Sequence, residues 1–400
     1  MSVFPLGLYV HIPFCSSVCH YCDFAKTANF QEHHVEKYLQ TLEWQLIAWR
    51  DALPTGTKFT SVFFGGGTPG LLGREYESLM RTVRDMLVPG AEVSLESNPG
   101  NVTQEKISIW RDLGFNRISV GVQTFDPLGL RILTRDHSSE DSKRALELAA
   151  KHFVKSNGDL IYGWPGQDIK IWQNDLESII QSGVNHLSLY SLTYEGQTPF
   201  ARAERRGAVV SMDGDALAER YELACKVLGS IGFEHEEISN WSRPGASCSH
   251  NWLYWRGEPY IGIGAGAHGF VMDGSEIGLR YSYPGDLRKF LRMEQRHAEI
   301  GLSLSKVVEC TGGLIDVERQ KDSWVFEYVG SALRSRDGVD LQKLARLGYQ
   351  FKPNAKIERA LRENILRRAD QYLYSSEVEW FRETAWSFEV CESLTKIRTV

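Results

Sequence analysis

Short apolar segments rich in β-type residues alternate with longer segments of helical periodicity through the first half of the chain. The predicted strands span residues 8–12, 59–64, 91–96, 117–122, 159–162 and 186–190. Helical patterns lie between them, including residues 31–52, 74–87, 106–113 and 170–181, and Thr103 is a candidate N-cap for the third of these. Six strands that alternate with helices predict an α/β fold with a parallel sheet.

Unusual polar and glycine residues gather where these predicted strands end. They are Cys15, residues 65–69, Glu96, Gln123, Asp159 and Tyr190. In a parallel barrel the working residues lie at the carboxyl ends of the strands, so this gathering predicts a site at one mouth. A doubly wound open sheet also fits the alternation. The cysteine-bearing loop after the first strand favours an incomplete, TIM-like parallel (β/α)6 barrel.

The second half of the chain has a different pattern. Beyond Tyr194 the alternation stops, and residues 213–231 predict one amphipathic helix. Residues 234–240 look strand-like, and an aromatic, glycine-rich stretch follows to residue 270. From about residue 301 the pattern predicts a smaller, mainly helical unit. We therefore expect a barrel domain over residues 1–275, a connecting segment over 276–318 and a C-terminal domain over 319–400.

Composition narrows the function classes. The chain has 400 residues of which 42% are hydrophobic, which is enough for a sizeable core, and a net charge of -6 argues against a general nucleic-acid binder. The first residues lack a basic segment followed by an apolar one, and no apolar run approaches ~18 residues. These features predict a cytoplasmic protein without a membrane anchor of its own.

Three of the seven cysteines lie within eight residues. Cys15, Cys19 and Cys22 have the spacing C-x3-C-x2-C. A structural zinc site takes four ligands, whereas three thiolates suit a [4Fe-4S] cluster that keeps one iron open. His20 is an alternative fourth zinc ligand, but it directly follows Cys19 and is poorly placed to close the same tetrahedron. A disulfide framework fits an odd trio badly. The spacing therefore favours a cluster with one open iron.

A glycine-rich segment follows the second predicted strand. Residues 65–69 are GGGTP, and the missing side chains let the backbone approach a polar ligand closely. The segment lacks the lysine of a P-loop and the spacing of a dinucleotide-binding motif. Beside an open iron it suits the ammonium group of S-adenosylmethionine. A simple tight turn is the alternative.

These motifs together resemble the radical S-adenosylmethionine (radical SAM) superfamily. More narrowly, they are similar to the branch that holds oxygen-independent coproporphyrinogen III dehydrogenase and the haem chaperone HemW. The matching segments keep one order over about three quarters of the chain and span residues 9–24, 65–69, 96–99, 116–119, 121–125, 159–163, 237–240, 250–255 and 262–268. The resemblance implies a partial barrel of the radical SAM type with the HemN-like C-terminal domain.

The resemblance also implies ligands for two cofactors. Cys15, Cys19 and Cys22 would bind the cluster, and S-adenosylmethionine would chelate its fourth iron. The positions that match S-adenosylmethionine-binding residues of the dehydrogenase are Tyr9, Tyr21, Gly66, Gly67, Thr68, Glu96, Gln123, Arg135 and Asp159. An electron from a donor protein would then cleave the sulfonium to a 5'-deoxyadenosyl radical, which is chemistry of the cofactor.

The charged members of this set have plausible physical roles. Glu96 can accept a hydrogen bond from a ribose hydroxyl or from the ammonium group, and Arg135 can pair with the carboxylate. An ion pair between Arg135 and Asp159 across the barrel mouth is the alternative for those two residues.

Two features favour the chaperone branch over the dehydrogenase. The dehydrogenase has a fourth cysteine two residues after the third, where this chain has Phe24, and a long N-terminal extension before the first strand. Residues 250–255 match the HNxxYW motif that is associated with haem in the HemW branch. His250 is the predicted axial ligand, with Cys248 as a competitor and a hydrogen-bonded core histidine as the alternative.

The resulting prediction is a haem chaperone that binds a [4Fe-4S] cluster, S-adenosylmethionine and haem. It would deliver haem to apo-haemoproteins, meet the membrane only through partners and bind no nucleic acid. The alternative is a coproporphyrinogen III dehydrogenase that decarboxylates a porphyrinogen. Because the scaffold belongs to enzymes but the predicted task is transfer, the sequence leaves open whether the chain is an enzyme.

Overall fold

A computed structural model describes residues 5–293, 302–316, 320–376, 380 and 384–396. The first half alternates strands and helices: β1 Gly7–Ile12, α1 Glu32–Ala52, β2 Phe59–Gly66, α2 Glu77–Arg84, β3 Leu87–Ser97, α3 Gln104–Asp112, β4 Arg117–Gln123, α4 Pro127–Ile132, α5 Ser139–His152, β5 Lys155–Tyr162, α6 Ile169–Gln181 and β6 His186–Ser191. All six predicted strands are present.

The middle of the chain adds short elements: α7 Pro199–Arg205, α8 Gly214–Ser230, β7 Glu234–Glu237, β8 Asn240–Ser242, α9 Ser249–Trp255, β9 Tyr260–Ile263, β10 His268–Val271, β11 Leu279–Ser282, α10 Leu287–Leu291, α11 Leu304–Cys310 and β12 Leu314–Ile315. The C-terminal region follows: α12 Lys321–Leu333, β13 Val339–Asp340, α13 Leu341–Arg346, β14 Tyr349–Phe351, α14 Ala355–Arg362, β15 Leu366–Ala369, β16 Tyr372–Ser375, α15 Thr384–Glu392 and β17 Leu394–Lys396. The predicted domain boundary at 318/319 lies outside the described residues.

Strands β1 to β6 are parallel neighbours in chain order. β9 extends the sheet beside β1 in parallel, and β8 pairs antiparallel with β6 at the other side. Side chains from β1 through β6 line one common cavity. A sheet can surround a cavity in this way only if it curves, so the predicted incomplete barrel is confirmed over the flat doubly wound alternative.

Successive side chains of each strand point to opposite faces of the sheet. The outer face carries fully buried apolar side chains that pack under the helices, among them Val10, Val62, Leu95, Val120 and Leu160. The inner face carries polar and aromatic residues that face the cavity, including Tyr9, Phe63, Glu96, Ser119, Asp159 and Ser188. The sheet therefore stabilises the fold with one face and builds a site with the other.

Some local predictions were wrong. The helix predicted for residues 74–87 ends at Arg84, because Leu87 pairs with Phe59 as the first residue of β3. Pro89 and Gly90 then form an exposed bulge at which the pairing with β2 shifts register. Residues 234–240 form two antiparallel strands rather than one. The N-cap prediction is confirmed, since the Thr103 side chain accepts a hydrogen bond from the backbone N–H of Lys106.

The C-terminal region has its own apolar core around Trp324, Val329 and Leu366. Four helices and two small antiparallel sheets, β13–β16–β15 and β14–β17, make up its described part. Its contacts reach the end of α9, where Asp337 pairs with Arg256 at 2.6 Å. Among the described residues, no helix combines the length and the apolarity that crossing a bilayer demands.

Candidate functional site

The inner face of the partial barrel encloses a cavity of about 720 Å³. The predicted cluster ligands, the predicted S-adenosylmethionine-binding residues and the predicted axial ligand all line it: Tyr9, Cys15, Cys19, Tyr21, Cys22, Gly66, Gly67, Thr68, Glu96, Gln123, Arg135, Asp159 and His250. The competing haem ligand Cys248 is fully buried and is absent from this lining. The cysteine loop lies at the carboxyl ends of the strands. His250 lies toward the opposite end, beside the early part of β2. The cavity therefore joins the two predicted sites in one space.

The loop after β1 presents the three cysteines. The backbone N–H of Cys15 donates to Thr27 O at 3.0 Å, and the N–H of Thr27 donates to Pro13 O at 2.7 Å, which ties the two ends of the loop together. Burial raises the pKa of the Cys15 thiol to about 11. A metal that binds there must displace a firmly held proton, so this sulfur remains a thiol until a metal takes it.

The single-zinc alternative finds no support in the geometry. Within the described ranges, no three His, Cys, Asp or Glu side chains converge on one ion. The His20 ring lies instead near Phe200, with 6.2 Å between ring centroids. Three cysteines on one short loop, all facing one cavity, fit the thiolate set of an iron-sulfur cluster, in which each thiolate takes a different iron.

The glycine segment packs against the start of the cysteine loop. Gly67 donates its N–H to Ile12 O at 2.7 Å, and a Cβ at Gly67 would lie 2.8 Å from Phe14 O. Gly66 has φ +114°, and a Cβ there would meet the His11 ring at 2.5 Å. The chain's own close packing thus requires both glycines. Contact with a ligand from the cavity side stays a prediction.

Arg135 contacts the cysteine loop. Its Nη1 donates to Cys19 Sγ at 3.2 Å and to the Tyr21 hydroxyl at 3.3 Å, while Nη2 donates to Asn98 Oδ1 at 2.6 Å. In the part of the chain that the structure describes, no ion pair joins Arg135 to Asp159, so that alternative is wrong. The guanidinium brings positive charge beside a sulfur that must become a thiolate.

Two carboxyl groups line the cavity, close enough for the charge of one to act on the other. Burial, and secondarily the charge of Asp159, raise the pKa of Glu96 to about 8, although Glu96 Oε2 accepts the Gly66 N–H at 3.1 Å. Burial also raises the pKa of Asp159, which accepts hydrogen bonds from Ser119 at 3.2 Å and from Asn157 at 2.6 Å. A cationic ligand would stabilise both groups as carboxylates.

Gln123 has a strained backbone. Its φ is 72°, in the left-handed region that non-glycine residues seldom occupy, and the pairing of β4 with β5 shifts register between Gly121 and Gln123. The bulge turns the end of β4 so that the Gln123 side chain faces the cavity. Strain of this kind collects at functional sites because surrounding structure must hold it in place.

His250 is buried and hydrogen-bonded at both ring nitrogens. Nδ1 lies 2.9 Å from Ser61 Oγ, Nε2 lies 2.9 Å from the Tyr254 hydroxyl, and the ring stacks on Phe63 with centroids 5.5 Å apart. Burial lowers the pKa of His250 to about 3, so the imidazole is neutral. The hydrogen bonds match the core-histidine alternative. The neutral ring at the cavity wall is also the form that binds a metal, and the ligand role stays a prediction.

Sequence reasoning missed the polar network behind Asp159. Asn157 Nδ2 donates to Ser119 Oγ at 2.6 Å and to Ser188 Oγ at 2.9 Å, in addition to Asp159. Arg117, fully buried at the start of β4, also lines the cavity, and its Nε and Nη1 have no hydrogen-bond partner among the described residues. The available signal was polar residues at alternate positions of otherwise apolar strands, which mark an inner face.

The first half of the chain matches a family model. The model of the Radical SAM superfamily covers residues 9–179, which run from β1 into α6 and include the cysteine loop. The solved coproporphyrinogen III oxidase HemN of Escherichia coli, described as a radical SAM enzyme, has a TM-score of 0.75 to this chain. The match covers 96% of this chain and 90% of HemN at 20% identity, so it shows a shared fold.

Curated relatives are more similar in sequence. The heme chaperone HemW of Mycobacterium tuberculosis is 41% identical over 273 residues, which cover 67% of this chain and 70% of that protein. The heme chaperone HemW of Lactococcus lactis is 30% identical over 390 residues, which cover 96% of this chain and 95% of that protein. The likeness to the Lactococcus lactis protein therefore includes the C-terminal region.

Proposed function

We propose that this chain, which belongs to the heme chaperone HemW family within the radical SAM superfamily, binds haem and delivers it to apo-haemoproteins. The observation that carries the proposal is that one cavity of about 720 Å³ joins the cysteine loop at the barrel mouth to His250. This cavity would bring the cluster, S-adenosylmethionine and haem next to one another, because the residues predicted for all three line it.

The residues at the mouth suit the two cofactors. Cys15, Cys19 and Cys22 would hold three irons of a [4Fe-4S] cluster, and Arg135 would stabilise the thiolate of Cys19. When bound, the cluster supplies an electron that can reduce the sulfonium of S-adenosylmethionine. Glu96 would accept a hydrogen bond from the ammonium or ribose of S-adenosylmethionine.

The residues deeper in the cavity suit haem. His250 offers a neutral imidazole whose Nδ1 is held by Ser61, so Nε2 is the nitrogen that would bind iron. Phe63 and Tyr254 provide aromatic surface for the macrocycle beside that ring.

The wider setting is also part of the proposal. None of the seven cysteines, all of which lie in the described residues, forms a disulfide. The proposed setting is the reducing cytoplasm, where an electron-donor protein would reduce the cluster. Contact with the membrane would come through partner proteins, such as an acceptor that carries haem in the bilayer.

A paired anaerobic experiment tests the function. Reconstituted protein is titrated with haem, and a parallel sample receives coproporphyrinogen III, S-adenosylmethionine and a reductant. We expect a saturable shift of the Soret band and no protoporphyrinogen. Product formation without haem binding would instead show that the chain is a dehydrogenase that works with Phe24 at the fourth-cysteine position.

The raised pKa of Glu96 makes the binding of S-adenosylmethionine dependent on pH. The free protein holds a proton on Glu96 below a pH of about 8, whereas the cationic ligand favours the carboxylate. Affinity should therefore rise with pH, by at most about tenfold per unit, and level off above 8. Equilibrium dialysis of reconstituted protein between pH 6.5 and 9 measures this slope.

The matched variants are Glu96→Gln and Glu105→Gln. Glu96→Gln should flatten the slope, because an amide has no proton to lose. Glu105 is exposed on α3, and its variant should keep the slope of the natural protein. A steep slope that survives in Glu96→Gln would assign the pH dependence to another group.

A further inference from the structure

A second, smaller cavity lies between the barrel and the C-terminal region, and we call it the outer pocket. Its volume is about 190 Å³, and its walls combine the charged residues Glu258, Arg280 and Glu327 with five aromatic residues: Tyr254, Tyr260, Phe270, Trp324 and Tyr328. Trp324 and Tyr328 come from α12, whereas the other three aromatic residues come from α9, β9 and β10. An aromatic pocket at a seam between two cores indicates a place where a flat apolar ligand can rest.

Tyr254 separates the outer pocket from the main cavity, because its side chain lines both. On the cavity side its hydroxyl lies 2.9 Å from His250 Nε2. On the pocket side its ring meets Tyr260 edge-on, with 4.7 Å between centroids. The residue is 39% exposed, so it is less confined than its neighbour His250, which is 1% exposed.

Iron binding by His250 excludes the hydrogen bond to Tyr254. The imidazole has one nitrogen for each partner, and Ser61 holds Nδ1 at 2.9 Å. Whichever tautomer is present, Nε2 cannot bind iron and remain hydrogen-bonded to the Tyr254 hydroxyl. Ligation would therefore free the Tyr254 side chain at the moment when the ligand arrives.

We propose that the outer pocket is a transit site for the macrocycle of haem, and that the Tyr254 side chain is the movable partition between it and the main cavity. The proposal rests on the proposed function, because it assumes that haem is the ligand of His250. The outer pocket is much smaller than the main cavity, so it would hold one edge of the macrocycle during passage.

The chemistry of the outer pocket suits that occupant. Trp324 and Tyr328 stack with centroids 5.3 Å apart and an interplanar angle of 16°, and such aromatic surfaces pack well against a conjugated ring. Arg280 lies at the same seam, paired with Glu327 at 2.9 Å. A carboxylate that arrives with the ligand can exchange with Glu327 for this guanidinium, as a porphyrin propionate would.

The C-terminal region of the chain holds α9, the helix that carries both His250 and Tyr254, in place. Lys343 Nζ donates to Arg256 O at 2.6 Å and to Gly257 O at 3.2 Å, at the carboxyl end of α9. Its ammonium also lies 5.0 Å from the centroid of the Tyr328 ring. Because α9 is anchored, opening of the partition is assigned to the Tyr254 side chain and not to the helix.

The test fills the outer pocket without touching the main cavity. Ser331 lies on α12 and lines the outer pocket alone, so Ser331→Phe should block passage, and Ser331→Ala is the matched control. Haem-loaded, anaerobically reconstituted protein is mixed with apomyoglobin, and haem transfer is followed by stopped-flow absorbance. We expect Ser331→Phe to slow transfer at least tenfold at an unchanged Soret position, and Ser331→Ala to transfer at the natural rate.

A second variant covers the case in which Ser331→Phe does not fold. Ser331→Cys is folded and reconstituted first and then alkylated with N-phenylmaleimide, and the natural protein treated with the same reagent accounts for the native cysteines. The same slowing is expected. Transfer at the natural rate with the pocket filled would overturn the transit site. Absence of a haem spectrum in the untreated natural protein would instead overturn the proposed function.

Discussion

Replacing Cys15, Cys19 and Cys22 together with alanine is expected to abolish the broad iron-sulfur absorbance of anaerobically reconstituted protein. These cysteines share one loop whose ends are tied by the hydrogen bonds of Thr27 with Cys15 and with Pro13, and all three face the main cavity. Removing the thiolates removes every sulfur that the loop can offer to iron. Iron and sulfide analysis, with the visible spectrum, measures the loss.

Three of the four remaining cysteines provide the matched control. Cys225, Cys310 and Cys391 form no disulfide, are partly exposed and are absent from the lining of the main cavity. Their combined replacement with alanine should leave iron and sulfide at the stoichiometry of the natural protein. Full stoichiometry in the Cys15, Cys19 and Cys22 variant would show that the cluster ligands are elsewhere.

The second large effect is expected for His250→Ala. If Nε2 binds haem iron, the variant should lose or shift the Soret band, and haem should bind more than ten times more weakly. Ser61→Ala should show a milder loss of about tenfold, since Ser61 only orients the ring through Nδ1. Absorbance titration with haem, and magnetic circular dichroism of the bound form, provide the measurements.

Stability must be followed in the same variants. His250 is buried, and its removal leaves the buried Ser61 hydroxyl without its partner, which costs about 1–3 kcal/mol. The thermal midpoint separates this effect from lost ligation. His33→Ala, at an exposed site on α1, is the control histidine. An unchanged Soret band in folded His250→Ala would assign His250 to the core.

The barrel strands were predictable because their period is simple. Alternating residues such as Val62 and Leu95 must be apolar to lie beneath helices, and that constraint is visible in the sequence. β9 was missed, since Gly262 replaces a side chain at its centre. The fold explains this glycine, because a Cβ there would lie 1.9 Å from His268 O. Contacts of that kind depend on pairing between distant segments.

The candidate site was also predictable only in part. The alternation of strands and helices alone predicted that Cys15 and Glu96 lie at the same mouth of the barrel, because parallel strands end at the same side of a barrel. The contact of Arg135 with Cys19, and the network from Asn157 to Ser188, depend on strand register and on side-chain length. The alternation of polar and apolar residues places Asn157 on the inner face, but the side chains that it meets there are set by pairing between distant strands.

The main cavity that runs from the cysteine loop to His250 also has a thermodynamic consequence. Two ligands that occupy one cavity displace the same water and contact neighbouring charged groups and side chains of the cavity wall. Their binding free energies are therefore coupled. Such coupling is reciprocal: if S-adenosylmethionine changes the affinity for haem by some factor, haem must change the affinity for S-adenosylmethionine by the same factor. One titration, repeated with and without the other ligand, therefore determines the coupling in both directions.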